Sequence, residues 1–451
     1  MYARTRRSCV ADLSHVPRNA CGIRHAVSPS SPWRGPGRFR GPSIIGPVTD
    51  LATRVAPPRL KGAAAKALLG YAAVRALGLL ALALWSAARD KSAYTLLTAR
   101  WDSVWYTRVA ELGYGYEVRL PNGDIHSNLA FFPLLPWLER LLHATTPLSY
   151  AGAGFLVAVL ASLAAAWGVF AVADLVYGPR AGLYAVLLWA VLPVGIVQSM
   201  AYSESLFTAL AAWSLYAVLT GRWLTSGTLA LLAGLTRPVG LAVVAAVWAA
   251  GIATFVRHRS AAPIDGARGQ ERAPSFAPGT PENGASVRRR ALAMLLAPLG
   301  AAGYVLWVGH RTGEGPLGYL DVQAGWRNGF DGGWAFARFI AAKFTSFPSA
   351  LAGVGLIAGV ALVVWLYLVC VRQRQPLPLL VYAGVVTALA LCASSYFGSK
   401  PRLLMPAFPL LLPLALALAR LRTTRSVLML GAVAVGSAVY GAFWLNGSGP
   451  P

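Results

Sequence analysis

Residues 150–173 read YAGAGFLVAVLASLAAAWGVFAVA. No charged side chain interrupts that stretch. About 20 consecutive apolar residues are what an α-helix needs to cross the hydrocarbon of a bilayer. Outward from it, further apolar runs lie at 66–88, 181–200, 203–220, 223–256, 291–309, 349–371, 377–397, 402–420 and 427–445. The 451-residue chain is 56% apolar and only 12% charged, against about 25% charged in a soluble domain. These figures exclude a soluble globular enzyme, a disordered chain and a disulfide-stapled one. The expected fold class is an all-α polytopic membrane protein.

The four cysteines, Cys9, Cys21, Cys370 and Cys392, lack metal-ligand spacing and read as structurally silent. Net charge is +24, carried by 35 Arg and 5 Lys. Most of it flanks apolar runs, so it reads as orientation in a membrane and not as a nucleic-acid footprint. Its Arg-rich, Ala-, Gly- and Pro-rich composition looks like that of a GC-rich bacterial genome.

Charge then sets the topology. Residues 1–62 hold 11 Lys/Arg, 2 acids and 8 Pro, which predicts a disordered basic cytoplasmic tail. The loop 89–149 has 6 basic and 6 acidic residues, and 257–290 has 7 Arg and 3 acids. The first is expected outside and the second, as a disordered insert, in the cytoplasm. Arg222 and Arg257 both read as cytoplasmic, so two crossings must separate them. Two short helices, 223–236 and 238–256, meet that condition, with Arg237-Pro238 at the outer turn; proline suits a helix's first turn. The result is about 11 transmembrane helices within a 63–445 domain, N-terminus inside, with outer loop 311–348 and a short outer tail 446–451.

On this map the unusual polar residues collect on one side. Arg100, Trp101, Asp102, Glu111, Asp124, His126 and Asn128 lie in the first outer loop. Tyr202, Ser203 and Glu204 occupy a short outer turn, and Arg237 another. Asp321, Gln323 and Arg327 lie in loop 311–348. Lys400 and Arg402 precede the tenth span, where they break the positive-inside rule. A charge beside hydrocarbon is costly and marks a functional candidate, although loops are polar in any case. Arg100 is the expected charge partner of its neighbour Asp102. The run Leu129-Ala130-Phe131-Phe132-Pro133-Leu134-Leu135-Pro136-Trp137-Leu138, followed by Glu139, Arg140 and His143, predicts an interfacial helix. Its aromatics would either guide a lipid chain or pack the loop on the bundle.

These motifs resemble the PIG-V family of mannosyltransferases in the glycosyltransferase C superfamily. The likeness runs through Arg100-Trp101-Asp102-Ser103-Val104-Trp105-Tyr106, Ala110 to Gly113-Tyr114, and Asn128 to Pro133. It continues in Tyr202-Ser203-Glu204-Ser205-Leu206-Phe207 and Gly234-Leu235-Thr236-Arg237-Pro238. The resemblance implies a glycosyltransferase C-like fold and an inverting transferase. It also implies a polyprenyl-phosphate sugar donor, usually of mannose, and chemistry on the outer face of the cell membrane. Asp102 matches the superfamily's base, with Glu111 the next carboxylate in the loop. Arg237, Lys400 and Arg402 are candidate phosphate-binding cations, or else snorkelling side chains at helix ends. Trp101 and Trp105 would stack on sugar or anchor at the interface. Glu204 would orient the acceptor or a cation, or simply satisfy a helix N-terminus. Arg100, His126 and Asn128 complete the candidate substrate-binding set.

No Asp-x-Asp nucleotide-sugar motif occurs. No metal site and no cofactor are expected, since the lipid-linked sugar is a substrate. The acceptor would be a cell-envelope glycan, glycolipid or protein, the bilayer itself is a partner, and no nucleic acid is expected. A multi-span transporter or lipid flippase is the rival class, and a non-catalytic assembly partner a third. Asp102 near the bilayer midplane, not in an outer cleft, would favour the transporter.

Overall fold

The computed structural model describes residues 62–260, 284–447 and 449. The expected tail 1–62, apart from its last residue, and most of the expected insert 257–290 lie outside the described residues. The chain runs α1 (Gly62–Ala87), α2 (Ala93–Thr98), α3 (Asp102–Leu112), a hairpin of β1 (Glu117–Arg119) and β2 (Ile125–Ser127), then α4 (Leu134–Thr145). There follow α5 (Tyr150–Tyr177), α6 (Pro179–Ala190), α7 (Ser203–Leu219), α8 (Trp223–Gly234) and α9 (Leu241–Ser260). The second part holds α10 (Gly284–Leu296), α11 (Leu299–Thr312), α12 (Gly318–Gly325), β3 (Gly329–Phe330) and α13 (Trp334–Ala342). It closes with α14 (Ser349–Arg372), α15 (Leu377–Cys392), β4 (Ala393–Ser394), α16 (Lys400–Leu404), α17 (Leu412–Arg420) and α18 (Thr423–Asn446).

The protein is an all-α, multi-pass membrane protein. Among the described residues six helical stretches are long and apolar enough to cross a membrane. They become seven if Phe397–Leu404 and Phe408–Arg420, bent by 75°, form one span. α7, α8 and α15 are apolar but shorter. Helix occupies each of the expected runs, yet several expected spans are not single helices.

The run 181–200 departs furthest. α6 stops at Ala190, and the chain continues through a 3₁₀ turn, Gly195–Ser199, to Tyr202. Non-helical backbone at membrane depth must find partners inside the protein. Arg75 of α1 donates to the carbonyls of Ala190 and Gly195. Ser437 of α18 bonds the Leu192 carbonyl at 2.7 Å. Gln198 Nε2 donates to Trp189 O at 2.7 Å and its Oε1 accepts from Tyr71 at 3.1 Å. Local hydropathy is blind to this break because the compensating groups come from distant helices.

Small residues set the helix contacts, as expected where lipid removes the hydrophobic drive between helices. Gly168 of α5 faces Ala212 of α7, and Gly227 and Gly234 of α8 face Ala293 and Ala301. A Cβ on Gly300 would stand 1.9 Å from the Leu231 carbonyl oxygen, whereas one on Gly303 meets nothing within 4 Å. Gly300→Val is therefore expected to cost about 3 kcal/mol by overpacking. The expected readout is a lowered melting temperature in detergent, with Gly303→Ala close to the parent.

α8 and α9 are separate helices, broken at Leu235–Gly240, as the Arg237-Pro238 turn predicts. The amide of Leu134 donates to Leu235 O at 3.0 Å, which ties that turn to the first loop. The loop also carries a β-hairpin that the sequence reading lacks, with Glu117 opposite Ser127. The loop after α11 is pinned by β3 pairing with β4, Gly329 opposite Ser394.

Candidate active site

The Arg100-Trp101-Asp102 triplet is a fixed corner. Arg100 donates to Leu445 O at 2.7 Å and Gly447 O at 3.2 Å, so it anchors on the end of α18. Its guanidinium lies 4.0 Å from the Trp101 ring. Trp101 has φ +50°, a conformation that a bulky residue adopts only when its surroundings enforce it. The turn sets Asp102 at the first position of α3. Trp101, and not Asp102, holds the N-cap position, so the Asp102 carboxylate is free of capping duty.

The partner of that carboxylate is not Arg100. Asp102 Oδ2 lies 2.9 Å from Arg402 Nη1 of α16, a correction to the expectation from adjacency. Arg402 Nε lies 3.3 Å from Glu204 Oε1, and Glu204 also pairs with Arg237. Arg237 reaches Ser203 Oγ at 3.4 Å, and Ser203 Oγ lies 2.7 Å from the Tyr106 hydroxyl. Tyr202 sits under the Arg402 guanidinium at 5.1 Å. Four charged side chains from α3, α16, α7 and the α8–α9 turn thus form one chain of alternating sign. Asp102 is 25% exposed, Arg402 10% and Glu204 1%. The cluster is neutral in sum and open at Asp102. Burial of the Tyr106 hydroxyl pushes its pKa up, so it stays protonated, and either hydroxyl can donate in its contact with Ser203.

The third expected cation is not brought into this chain. Lys400 Nζ donates to the carbonyls of Ala390 (2.8 Å) and Ala393 at the end of α15, and lies over the rings of Phe336 and Phe397. Of the three expected cations, two, Arg237 and Arg402, therefore share one cluster. A lysine at a helix C-terminus is well matched to the helix dipole.

The remaining expected residues fall into three places. Trp105, one turn after Asp102, stacks on Phe131 and meets Trp326 edge-on, with centroids at 5.7 and 4.8 Å. His126 stacks on the other side of this wall, 4.0 Å from Trp326, where partial burial lowers its pKa ahead of the opposing effect of Asp124. Asn128 is buried and spends its amide on the loop, bonding Gly113 O and the Gly115 amide at 3.0 Å each. Glu111 is exposed at the end of α3. Trp326 is the residue the sequence reading missed. It donates to Ser127 O at 3.0 Å, next to the Arg327–Asp124 pair at 2.6 Å. Nothing local in 313–333 signals that it crosses to the first loop. Tyr106 was legible in principle, since it stands four residues after Asp102 on one helix face.

α4 is amphipathic, with Trp137 and Leu141 exposed, but its polar side differs from expectation. Arg140 bonds Ala110 O at 2.8 Å. Glu139 is fully buried, has no hydrogen-bond partner on either oxygen among the described residues, and abuts Gly154 of α5, where a Cβ would stand 2.4 Å from its Oε1. Burial pushes its carboxyl well above the usual range, so the fold favours the neutral acid. A raised carboxyl stabilises fully below its unfolded value, about 4.3, and that contribution is lost as pH rises toward the folded value. Glu139→Gln is expected to raise the melting temperature by about 2–4 °C at pH 8 and to leave it unchanged near pH 4. No gain at pH 8 would mean that the carboxyl is solvated.

Fold and site define a multi-span membrane protein with a buried charge cluster opening on one carboxylate. Residues 76–258 match the family model described as mannosyltransferase (PIG-V). That stretch carries Arg100-Trp101-Asp102, Glu204 and Arg237, the motifs in which the chain resembles that family. No curated protein matches the chain. Among solved structures it is similar to ArnT from Cupriavidus metallidurans in the apo state (16% identity, TM-score 0.44, covering 72% of this chain and 56% of that one). The same protein bound to undecaprenyl phosphate gives 14% identity and a TM-score of 0.46, with 81% and 62% covered. The Archaeoglobus fulgidus oligosaccharyltransferase AglB, in complex with an inhibitory peptide and a dolichol-phosphate, gives 12% and 0.42, with 84% and 56% covered. The chain thus spans somewhat more than half the length of these proteins.

Proposed function

We propose that the chain transfers a sugar, mannose by its family, from a polyprenyl-phosphate donor to a hydroxyl of a cell-envelope acceptor. The observation that carries this reading is the chain Asp102–Arg402–Glu204–Arg237, in which a partly exposed carboxylate and fixed cations form one cluster. Asp102 is the base. The acceptor oxygen attacks the anomeric carbon from the face opposite the leaving group, and its proton passes to the Asp102 carboxylate. The bond from the anomeric carbon to the phosphate oxygen breaks, its electron pair stays on the phosphate, and polyprenyl phosphate leaves. The anomeric centre is inverted. Arg402 and Arg237 neutralise the charge that grows on the departing phosphate. Held by Glu204 before substrate arrives, they need little rearrangement in the transition state. Trp105 and Trp326 form an aromatic wall beside Asp102 that suits a sugar face.

The charge census supports an outward-facing site in the cell membrane with the N-terminus in the cytoplasm. Asp102 opens α3, outside the long apolar helices, which favours an enzyme over the transporter reading. The test is to incubate purified protein with polyprenyl-phosphate mannose and an envelope glycolipid extract. Release of polyprenyl phosphate together with mannosylated product is the expected result. A folded protein that releases none from any polyprenyl-phosphate hexose overturns the reading.

A further inference from the structure

Arg75 stands halfway along α1, a helix long and apolar enough to cross a membrane. It is buried, and no acidic side chain pairs with it among the described residues. A charge at that depth is costly and marks a functional candidate. Its two terminal nitrogens donate to the carbonyls of Ala190 and Gly195, on either side of the point where α6 stops. A Cβ on Gly195 would stand 2.8 Å from both Arg75 Nη2 and the Ala190 carbonyl oxygen, so the guanidinium needs glycine there. A planar guanidinium spans two carbonyls as a rigid fork, which a lysine ammonium does not reproduce.

The stretch pinned in this way is bonded to three elements that carry the charge cluster. The Ala201 amide donates to Leu97 O of α2 at 3.0 Å, just ahead of the corner that sets Asp102. The Gln198 carbonyl accepts from Ser205 Oγ at 3.1 Å, beside Glu204 in the first turn of α7. Trp189 donates its indole N–H to Met405 O at 3.1 Å, and the Met405 amide donates to Arg402 O at 3.1 Å. The buried Gln198 side chain ties Tyr71 of α1 to the Trp189 carbonyl, and Tyr71 stacks on Trp189 with centroids 5.5 Å apart. We infer that Arg75 is a positioning residue for the candidate site. By fixing the break 191–202 it sets the spacing of Asp102, Glu204 and Arg402, and it acts through the backbone of that segment. Its effect on rate rests on the transfer reaction proposed above; its effect on the cluster does not. Preorganised charges lose their value when displaced, and a misplacement of about 1 Å can cost roughly 10²-fold in rate. The rival role is purely structural, in which Arg75 stabilises the break and leaves the cluster as it is.

Two measurements separate these roles. In the first, the parent, Arg75→Met, Glu204→Gln and the double variant are melted in detergent. Losses at sites that do not interact add, as the structural role requires. A positioning role predicts a double variant that melts about 3 °C or more above the additive value, because a cluster already broken at Glu204 has less for Arg75 to hold. Additive losses overturn the inference. This cycle needs no turnover, so it decides the matter even if the chain transfers no sugar, and the two readings fail separately. In the second, turnover is followed with polyprenyl-phosphate mannose. Folded Arg75→Met is expected to lower kcat roughly tenfold, with KM changed by less than about threefold, and to lower it no further in the Glu204→Gln background. Parental kcat in folded Arg75→Met, or the same tenfold loss in the Glu204→Gln background, overturns the inference. If Arg75→Met does not fold, Gln198→Met, which keeps the guanidinium but cuts the tie between Tyr71 and Trp189, takes its place in both measurements with the same expected and overturning results.

Discussion

Asp102→Asn is expected to lower turnover by roughly 10²–10⁴-fold, the loss typical when a general base is removed. Asn has the same shape and keeps one acceptor toward Arg402, which stands 2.9 Å away. It does not hold the N-cap of α3, so no cap is lost. The variant should therefore fold, and the defect should appear in kcat with little change in donor affinity. Asp102→Glu is a useful companion, because it keeps the charge but moves it relative to the corner set by Trp101. Turnover within threefold of the parent in a folded Asp102→Asn protein would remove Asp102 from the mechanism and pass the role to Glu111, the other carboxylate of α3.

Glu204→Ala is expected to damage both stability and activity. Glu204 is 1% exposed and compensates two guanidiniums. Breaking a buried pair by removing one partner costs about 3–5 kcal/mol, because the remaining charge is stranded. Here Arg237 is stranded, while Arg402 keeps Asp102, and the loss should be read as a melting temperature at least several degrees lower in detergent. Pairing the loss with removal of one cation, Glu204→Gln with Arg237→Gln, should recover part of the stability while turnover stays low. Full turnover in the double variant would show that the acid and Arg237 serve only to hold α7 against the α8–α9 turn.

The motifs legible in the sequence were those in which neighbours act together. Arg100-Trp101-Asp102 forms a local corner. The Thr236-Arg237-Pro238 interruption splits its run into two helices, and Ser203 and Glu204 open α7. What was misjudged was pairing. Adjacency points Arg100 at Asp102, yet Arg100 is drawn to the carbonyls at the end of α18. Arg237, Lys400 and Arg402 read together as candidate phosphate-binding cations, but the tight turn of α16 sends Lys400 to the end of α15 and Arg402 to Asp102. Glu139 reads only as part of an interfacial helix, and its burial against Gly154 of α5 follows from which side a second helix covers, which the local run does not reveal.

Sequence alone determined that this chain lives in a bilayer, that it is helical, and which segments bear its polar chemistry. These are sums over contiguous residues in contact with lipid or water, and hydropathy and charge register them directly. The tertiary structure decided that residues 191–202 could abandon helix inside the bundle, because Arg75 and Ser437 supply the bonds the helix would have made. It decided too that Asp102 would face Arg402, 300 residues away in the chain. An ion pair requires two groups within a few ångströms, and only the packing of α3, α7 and α16 brings these groups to that distance.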